Sequence, residues 1–468
     1  MRLSCQRRLD SMLTYFLPLA LYISSIPMMF YTVFRVDVGI AVFATLVPVI
    51  SLMKKIAELP GGNNFADYFL IAICIGWFIA AARENRPLFI SSSLNAVVIM
   101  VCAGSLFNLI RGYTYMSLPG EVNLTRLMAW KNYMILPLLY FIAANNLNTE
   151  KKARMVLMGI LLSLLAMDFN FYSTFRWMKT EHYSHSIRIE GAFSSLGPNE
   201  LGAFYAMFTM LLMGISYYIE EKKLKYAIYF VCACNFYPIL FSYSRAAYIS
   251  VMAGFLALGI LKDRRVLGLV VVIVLFYRFL LPVSVVERID MTFIDQENVS
   301  EEKEQSSAVG VGGVELDTVG RKELWDKAKE YFREQPLFGI GFDTFRHKEG
   351  MITHSLYMKI LAEQGLFGLS IFIIYILALL RHSYRLFRVS ASRMGRGIGL
   401  GFLLCVVAHL AGSISGDQTL YYNLMAVFWL FMGITASFTF YYGEVKESDG
   451  VPAGDAGNVS WKETGKTW

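Results

Sequence analysis

An all-α polytopic transmembrane bundle is the fold this sequence predicts, and three observations predict it. Hydrophobic residues make up 56% of the 468 and charged ones 17%, well under the usual quarter of a soluble chain. Apolar blocks recur near 11–34, 37–53, 68–82, 88–110, 127–144, 153–175, 198–219, 225–242, 245–261, 266–285, 354–380, 398–415 and 421–442. These blocks are continuous, so they read as helices crossing about 30 Å of hydrocarbon rather than as the alternating strands of a barrel. Finally, Arg and Lys gather in the short segments between blocks, as they do where cytoplasmic loops fix a membrane protein's orientation.

Orientation is read backward from one long polar segment, 286–353. The loop 381–397 after the next block holds Arg381, Arg385, Arg388, Arg393 and Arg396 with no acid, which makes it cytoplasmic. The segment 286–353 is then outside, and its acids outnumber its bases fifteen to nine. Alternation also places Arg83–Arg86, Asn148–Arg154, Glu220–Lys225 and Lys262–Arg265 inside. Thirteen crossings would put Arg2, Arg7 and Arg8 outside. Re-entry or fusion of an early block, 11–34 or 37–53, gives about 12 helices and restores the rule. The chain thus divides into N-terminal transmembrane helices (1–285), one large extracytoplasmic loop containing short helices (286–353), C-terminal transmembrane helices (354–442) and a disordered cytoplasmic tail (443–468).

Several function classes are disfavoured. No basic stripe on a soluble domain supports nucleic-acid binding. The six cysteines lie in or beside apolar blocks, so the loop carries neither a disulfide framework nor a zinc site. His182 and His185 lack a third ligand, and no metal or other cofactor is expected. The first block is too long for a signal peptide and lacks a small-residue cleavage site.

Within the loop, Asp290–Asp317 is rich in Glu, Ser, Val and Gly and reads as mobile. The stretch after it is patterned. Leu324, Trp325, Ala328, Tyr331 and Phe332 form one helical stripe, which would lie on the membrane or cap the bundle. Pro336 ends this helix, and Gly339-Ile340-Gly341 makes a turn before His354 opens the next crossing. Polar residues at outer helix ends include Arg188, Asn199, Ser244, Arg245, Arg321 and His354. Arg cannot shed its charge, so several at one membrane level call for an anion, and a diphosphate suits the guanidinium fork. A neutral His among them could take a proton from a hydroxyl. Each also has a plainer reading: Arg snorkels to headgroups, and a His at a helix start often caps it. His409 and Asp168, inside their blocks, read as helix-pairing residues or as functional ones.

Three stretches together resemble the O-antigen ligase and polymerase superfamily of bacterial envelope glycan assembly. They are Arg188-Ile189-Glu190-Gly191-Ala192-Phe193 with Pro198-Asn199, then Ser244-Arg245-Ala246-Ala247, and finally a longer series. That series runs Gly320-Arg321, Pro336-Leu337-Phe338-Gly339-Ile340-Gly341, His354-Ser355 and Glu363-Gln364-Gly365. Ser355 stands where the family more often has Asn. The resemblance covers roughly 185–370.

It implies a metal-independent, inverting glycosyltransferase in the bacterial inner membrane, with its active site facing the periplasm. The donor would be a glycan on undecaprenyl diphosphate, and the acceptor a sugar hydroxyl of a lipid core or a second glycan. By the same likeness Arg188, Arg245 and Arg321 would hold the diphosphate, and His354 would take the acceptor proton. Asn199, Ser244 and Glu363 would support them. A lipid-linked glycan flippase or other polysaccharide transporter is the alternative. Its charges would be expected along the midplane between repeated halves.

Overall fold

The computed structural model describes residues 17–49, 65–116, 120–176, 178, 180–189, 197–291 and 318–443. The expectations for Arg2, Arg7 and Arg8, for a mobile segment over 292–317, for the motif residues 190–196 and for the tail beyond Gly443 concern residues outside these. All regular structure described is helical. In order, the helices are α1 (Leu17–Phe34), α2 (Val36–Leu46), α3 (Phe65–Arg83), α4 (Ser93–Met116), α5 (Gly120–Asn146), α6 (Glu150–Phe175), α7 (Pro198–Ser216) and α8 (Lys222–Phe241). There follow α9 (Arg245–Leu261), α10 (Arg265–Leu280), α11 (Val283–Asp290), α12 (Thr318–Glu334), α13 (Thr344–Glu349), α14 (Leu356–Val389), α15 (Arg393–Gly412) and α16 (Tyr422–Tyr442).

Among the described residues eight helices are long and apolar enough to cross a membrane, or up to nine if the bent α10–α11 pair is one span. Three further apolar helices, Tyr22–Phe34, Val36–Val49 and Arg245–Leu261, are shorter. The early blocks do not fuse. Arg35 separates α1 from α2, and the chain reverses so sharply there that Gly39 meets the Thr32 side chain. At 11 residues, α2 spans about 16 Å, roughly half the hydrocarbon thickness.

Helix α7 forms the centre, with nearly every residue buried against α8, α9 and α15. Helix α16 is equally enclosed and packs along α5. Outer helices keep large apolar side chains exposed, such as Phe230 on α8 and Phe279 on α10, as a lipid-facing surface requires.

The basic loops meet at one end of this bundle. Ser392 donates to Glu150 at 2.6 Å, Arg154 lies 3.5 Å from Glu221, Lys262 donates to the Tyr218 hydroxyl at 2.9 Å and Arg393 pairs with Glu220. Two outer segments differ from expectation. The segment 111–126 is largely helical, because α4 and α5 run past the apolar blocks and bury Arg126 under the loop. The block 266–285 is broken: after α10 the chain bends by 110° at Pro282 into the amphipathic α11. Proline cannot continue the helical hydrogen-bond ladder, and the bend turns α11 across the bundle end.

Candidate functional site

The site end is built on a clamp between two motifs of the large loop and the helix that follows it. Helix α14 kinks at Gly365, whose φ of 61° and ψ of −156° suit only glycine. The kink frees backbone groups that the Pro336–Gly341 turn takes up. Leu366 donates to the Pro336 carbonyl at 2.8 Å, Phe367 to Leu337 at 2.9 Å, Ile340 to Ala362 at 2.9 Å and Gly341 to Glu363 at 2.8 Å. Gly341, at φ 102°, lies so close to Gly112 of α4 that a Cβ there would collide with its backbone.

Glu363 extends the clamp with its side chain, which accepts the Asp343 amide at 3.0 Å and the Phe345 amide at 3.2 Å. From α5, Arg126 donates to the Phe342 carbonyl at 2.8 Å and to Asn123 at 3.0 Å, and is 1% exposed. The predicted stripe of α12 caps this arrangement rather than lying on lipid. Leu324 and Ala328 pack with Ile340, Phe345 and Ala362, and the Trp325 indole donates to the Thr353 carbonyl at 2.9 Å. Thr353 precedes His354, so α12 holds the chain on which the histidine sits.

His354 is half-buried and adopts φ 51°, an uncommon left-handed conformation for a side-chain-bearing residue. Its backbone turns just before α14, whose first amide, Leu356, donates to the Ser413 carbonyl at 3.1 Å. Burial, and then the Arg321 guanidinium, push the His354 pKa from 6.5 down to about 4, with Asp417 opposing. The imidazole is therefore neutral at ordinary pH. Arg321 donates to Ser415 at 2.8 Å, tying α12 to the segment after α15. In that segment Asp417 is wholly buried and pairs with Lys359 of α14 at 2.9 Å. Beside them His409 shares a 2.8 Å hydrogen bond with Gln418, a link between helix α15 and the next connection.

A second group of cations comes from the other side. Arg188 donates to Asn199 at 2.9 Å and to the Ser242 carbonyl at 3.3 Å, tying the outer loop to the start of α7 and the end of α8. Burial and the neighbouring Arg288, with a smaller contribution from Arg321, push its pKa down to about 10. It still carries its charge at neutral pH, in a place that resists charge. Arg288, 6% exposed on α11, donates to the Tyr243 carbonyl at 3.2 Å and lies 4.9 Å over the Tyr183 ring. Tyr183 is fixed in turn by Glu287, which accepts its amide at 2.6 Å and meets His182 at 2.7 Å. Ser244 caps α9 by accepting the Ala247 amide at 3.4 Å, which places Arg245 as the first residue of that helix.

Arg188, Asn199, Arg321 and His354 thus converge at one end, and Arg245 starts its helix at the same level. Ser244 and Glu363 are building residues: one caps a helix, the other anchors a turn. Asp168 lies apart, inside α6 against Tyr205 and Asn235. Sequence reasoning passed over Arg288, Arg126 and the Lys359–Asp417 pair. Lys359 carried a usable signal, a cation within an apolar block four residues before Glu363. A cavity of about 280 Å³ lies between α4, α5, α14 and α16, and Lys359, Asp343, Arg346, Tyr375 and Trp429 are among the residues that line it. None of Arg188, Arg245, Arg321 and His354 lines it, so geometry and charge, not cavity size, define the site.

The O-antigen ligase family matches residues 228–373. The match runs from α8 to the middle of α14 and contains Arg245, Arg321, His354 and Glu363, while Arg188 and Asn199 lie before it. No curated protein matches the chain. The family match supports the O-antigen ligase and polymerase superfamily, as the motif resemblance implies.

Proposed function

We propose that this chain, with its O-antigen ligase-type region, is a membrane glycosyltransferase moving a glycan from undecaprenyl diphosphate to a sugar hydroxyl of a lipid-core or glycan acceptor. The observation that carries the reading is a neutral histidine beside an arginine, facing further arginines at one end of the bundle. Positive charge where a leaving diphosphate develops negative charge lowers the barrier most, because buried dipoles and charges need not reorganise. In this reading Arg188, Arg245 and Arg321 bind the diphosphate oxygens.

The acceptor oxygen attacks the anomeric carbon as its proton passes to the His354 imidazole. The bond from that carbon to the diphosphate oxygen breaks, and undecaprenyl diphosphate leaves with the electron pair. One displacement inverts the anomeric configuration. No metal is required, since the arginines supply the countercharge and diphosphate is already a good leaving group. Donor binding also tunes the base. The anion offsets Arg321, so His354 regains basicity when there is something to deprotonate.

The positive-inside rule assigns the basic end to the cytoplasm, and so the site to the periplasmic face of a bacterial inner membrane. A transporter would not need the reaction geometry. The deciding experiment incubates purified protein in detergent, where no compartments exist, with undecaprenyl-diphosphate glycan and either a lipid-core or a glycan acceptor. A covalent glycan–acceptor product supports transfer, and its identity separates ligase from polymerase. Binding without product, under conditions where the protein stays folded, would favour transport.

A further inference from the structure

The opposite end of the bundle holds a hollow that the transfer reaction does not use. It lies between the α7–α8 connection, the first turns of α8 and the start of α15, opens to the surface and has a volume of about 850 Å³. Lys222, Lys225, Arg393 and Arg396 line it, with Glu220 the one carboxylate among its lining residues. Glu220 is already paired with Arg393. Among the described residues, Lys222, Lys225 and Arg396 have no carboxylate at ion-pair distance.

The site has form as well as charge. Arg396 is fixed by donating its Nε to the Ser390 carbonyl at 2.8 Å, which leaves the guanidinium's other N–H groups for a ligand. Lys225 is half-buried, with its ammonium 5.9 Å from the Tyr229 ring centre. Lys262 sits against Tyr218, 4.5 Å from its ring centre, and reinforces the field from the next loop. Below the hollow, α8 turns Tyr226 and Phe230 outward, 67% and 62% exposed, one helical turn apart on the same face. Cations above an apolar stripe describe an amphiphile's shape.

We propose that this hollow binds an anionic phospholipid of the cytoplasmic leaflet. Lys222, Lys225 and Arg396 would hold the headgroup phosphate, and an acyl chain would run along Tyr226 and Phe230. Basic recesses between helices on the cytoplasmic side are suited to such headgroups, and the negative leaflet concentrates them there. Orientation by positive charge alone needs only exposed Lys and Arg. It does not need a concave site, a fixed guanidinium and exposed aromatic side chains leading from it. This inference does not depend on the glycosyltransferase reading.

Native mass spectrometry and thermal melting of the full-length protein would test it, with phosphatidylglycerol or cardiolipin compared against phosphatidylcholine. The wild type should retain the anionic lipid at least about fivefold better and melt higher in its presence. Lys225→Gln with Arg396→Gln should lose both effects while melting like wild type in phosphatidylcholine. Arg264→Gln with Arg265→Gln removes the same charge from an exposed loop and should keep them. Equal retention of both lipid types, undiminished retention in the first variant, or equal loss in the second would overturn the proposal. Displacement of the lipid by millimolar inorganic phosphate would do so as well, by assigning the site to a free anion.

Discussion

The two ends of this bundle use the same side chains under opposite physics. At the basic end Arg393 is 70% exposed and its pairing with Glu220 is shared with water, so the pair contributes little to stability. At the site end Arg288 is 6% exposed and Arg188 is desolvated enough to lose basicity. Charge held at such a desolvation cost, with like charges beside it, is charge that a bound anion would stabilise. Count of cations therefore says little; their burial and convergence carry the functional argument.

The sharpest way to break this contrast is to remove the histidine beside Arg321 at the site end. His354→Ala should lower turnover by about 10²–10⁴-fold, the usual range for a general base, with donor binding largely kept. A transfer assay with donor titration separates the two. Arg321→Gln should lower turnover by about 10²-fold, in the range for losing one donor to a developing anion. Asp417→Ala should destabilise the fold by about 3–5 kcal/mol, because it strands Lys359 as a buried charge. Chemical denaturation in detergent reads this directly. Gly365→Ala should cost about 1–3 kcal/mol through its backbone conformation, and more through collision with the Pro336 carbonyl, so melting should fall. Smallest of all, Arg393→Gln should leave turnover within about twofold and stability within about 1 kcal/mol, as for other exposed ion pairs. A loss in this variant as large as that from Arg321→Gln would erase the contrast.

The parts legible in the sequence were those set by local pattern. Apolar length marked most spans, and the stripe from Leu324 to Phe332 marked α12 together with the face it buries. Arg321 and His354 stood out because they sit at outer helix ends within a recognisable motif series. What stayed hidden is long-range. Glu363 and Gly365 could be seen as a motif, but not that their kink receives the Pro336–Gly341 turn through backbone hydrogen bonds. Arg288 looked like the first cation of a loop, since nothing local announces that Pro282 bends α11 back onto Tyr243. Arg126 lay in a segment read as an external connection, and its partner carbonyl at Phe342 is more than two hundred residues away.

The central claim is that burial, reinforced by the Arg321 charge, keeps His354 neutral where it meets the acceptor, and pH tests it most directly. The base form exists above the His354 pKa and is lost as pH falls through it. The acidic limb of kcat/KM, which reports the free enzyme, should then lie near pH 4 in the wild type. In Arg321→Gln the smaller depressing cause is gone while burial remains, so the limb should rise part of the way toward 6.5 on a lower plateau. A wild-type limb already at 6.5, or one that Arg321→Gln does not move, would contradict the account.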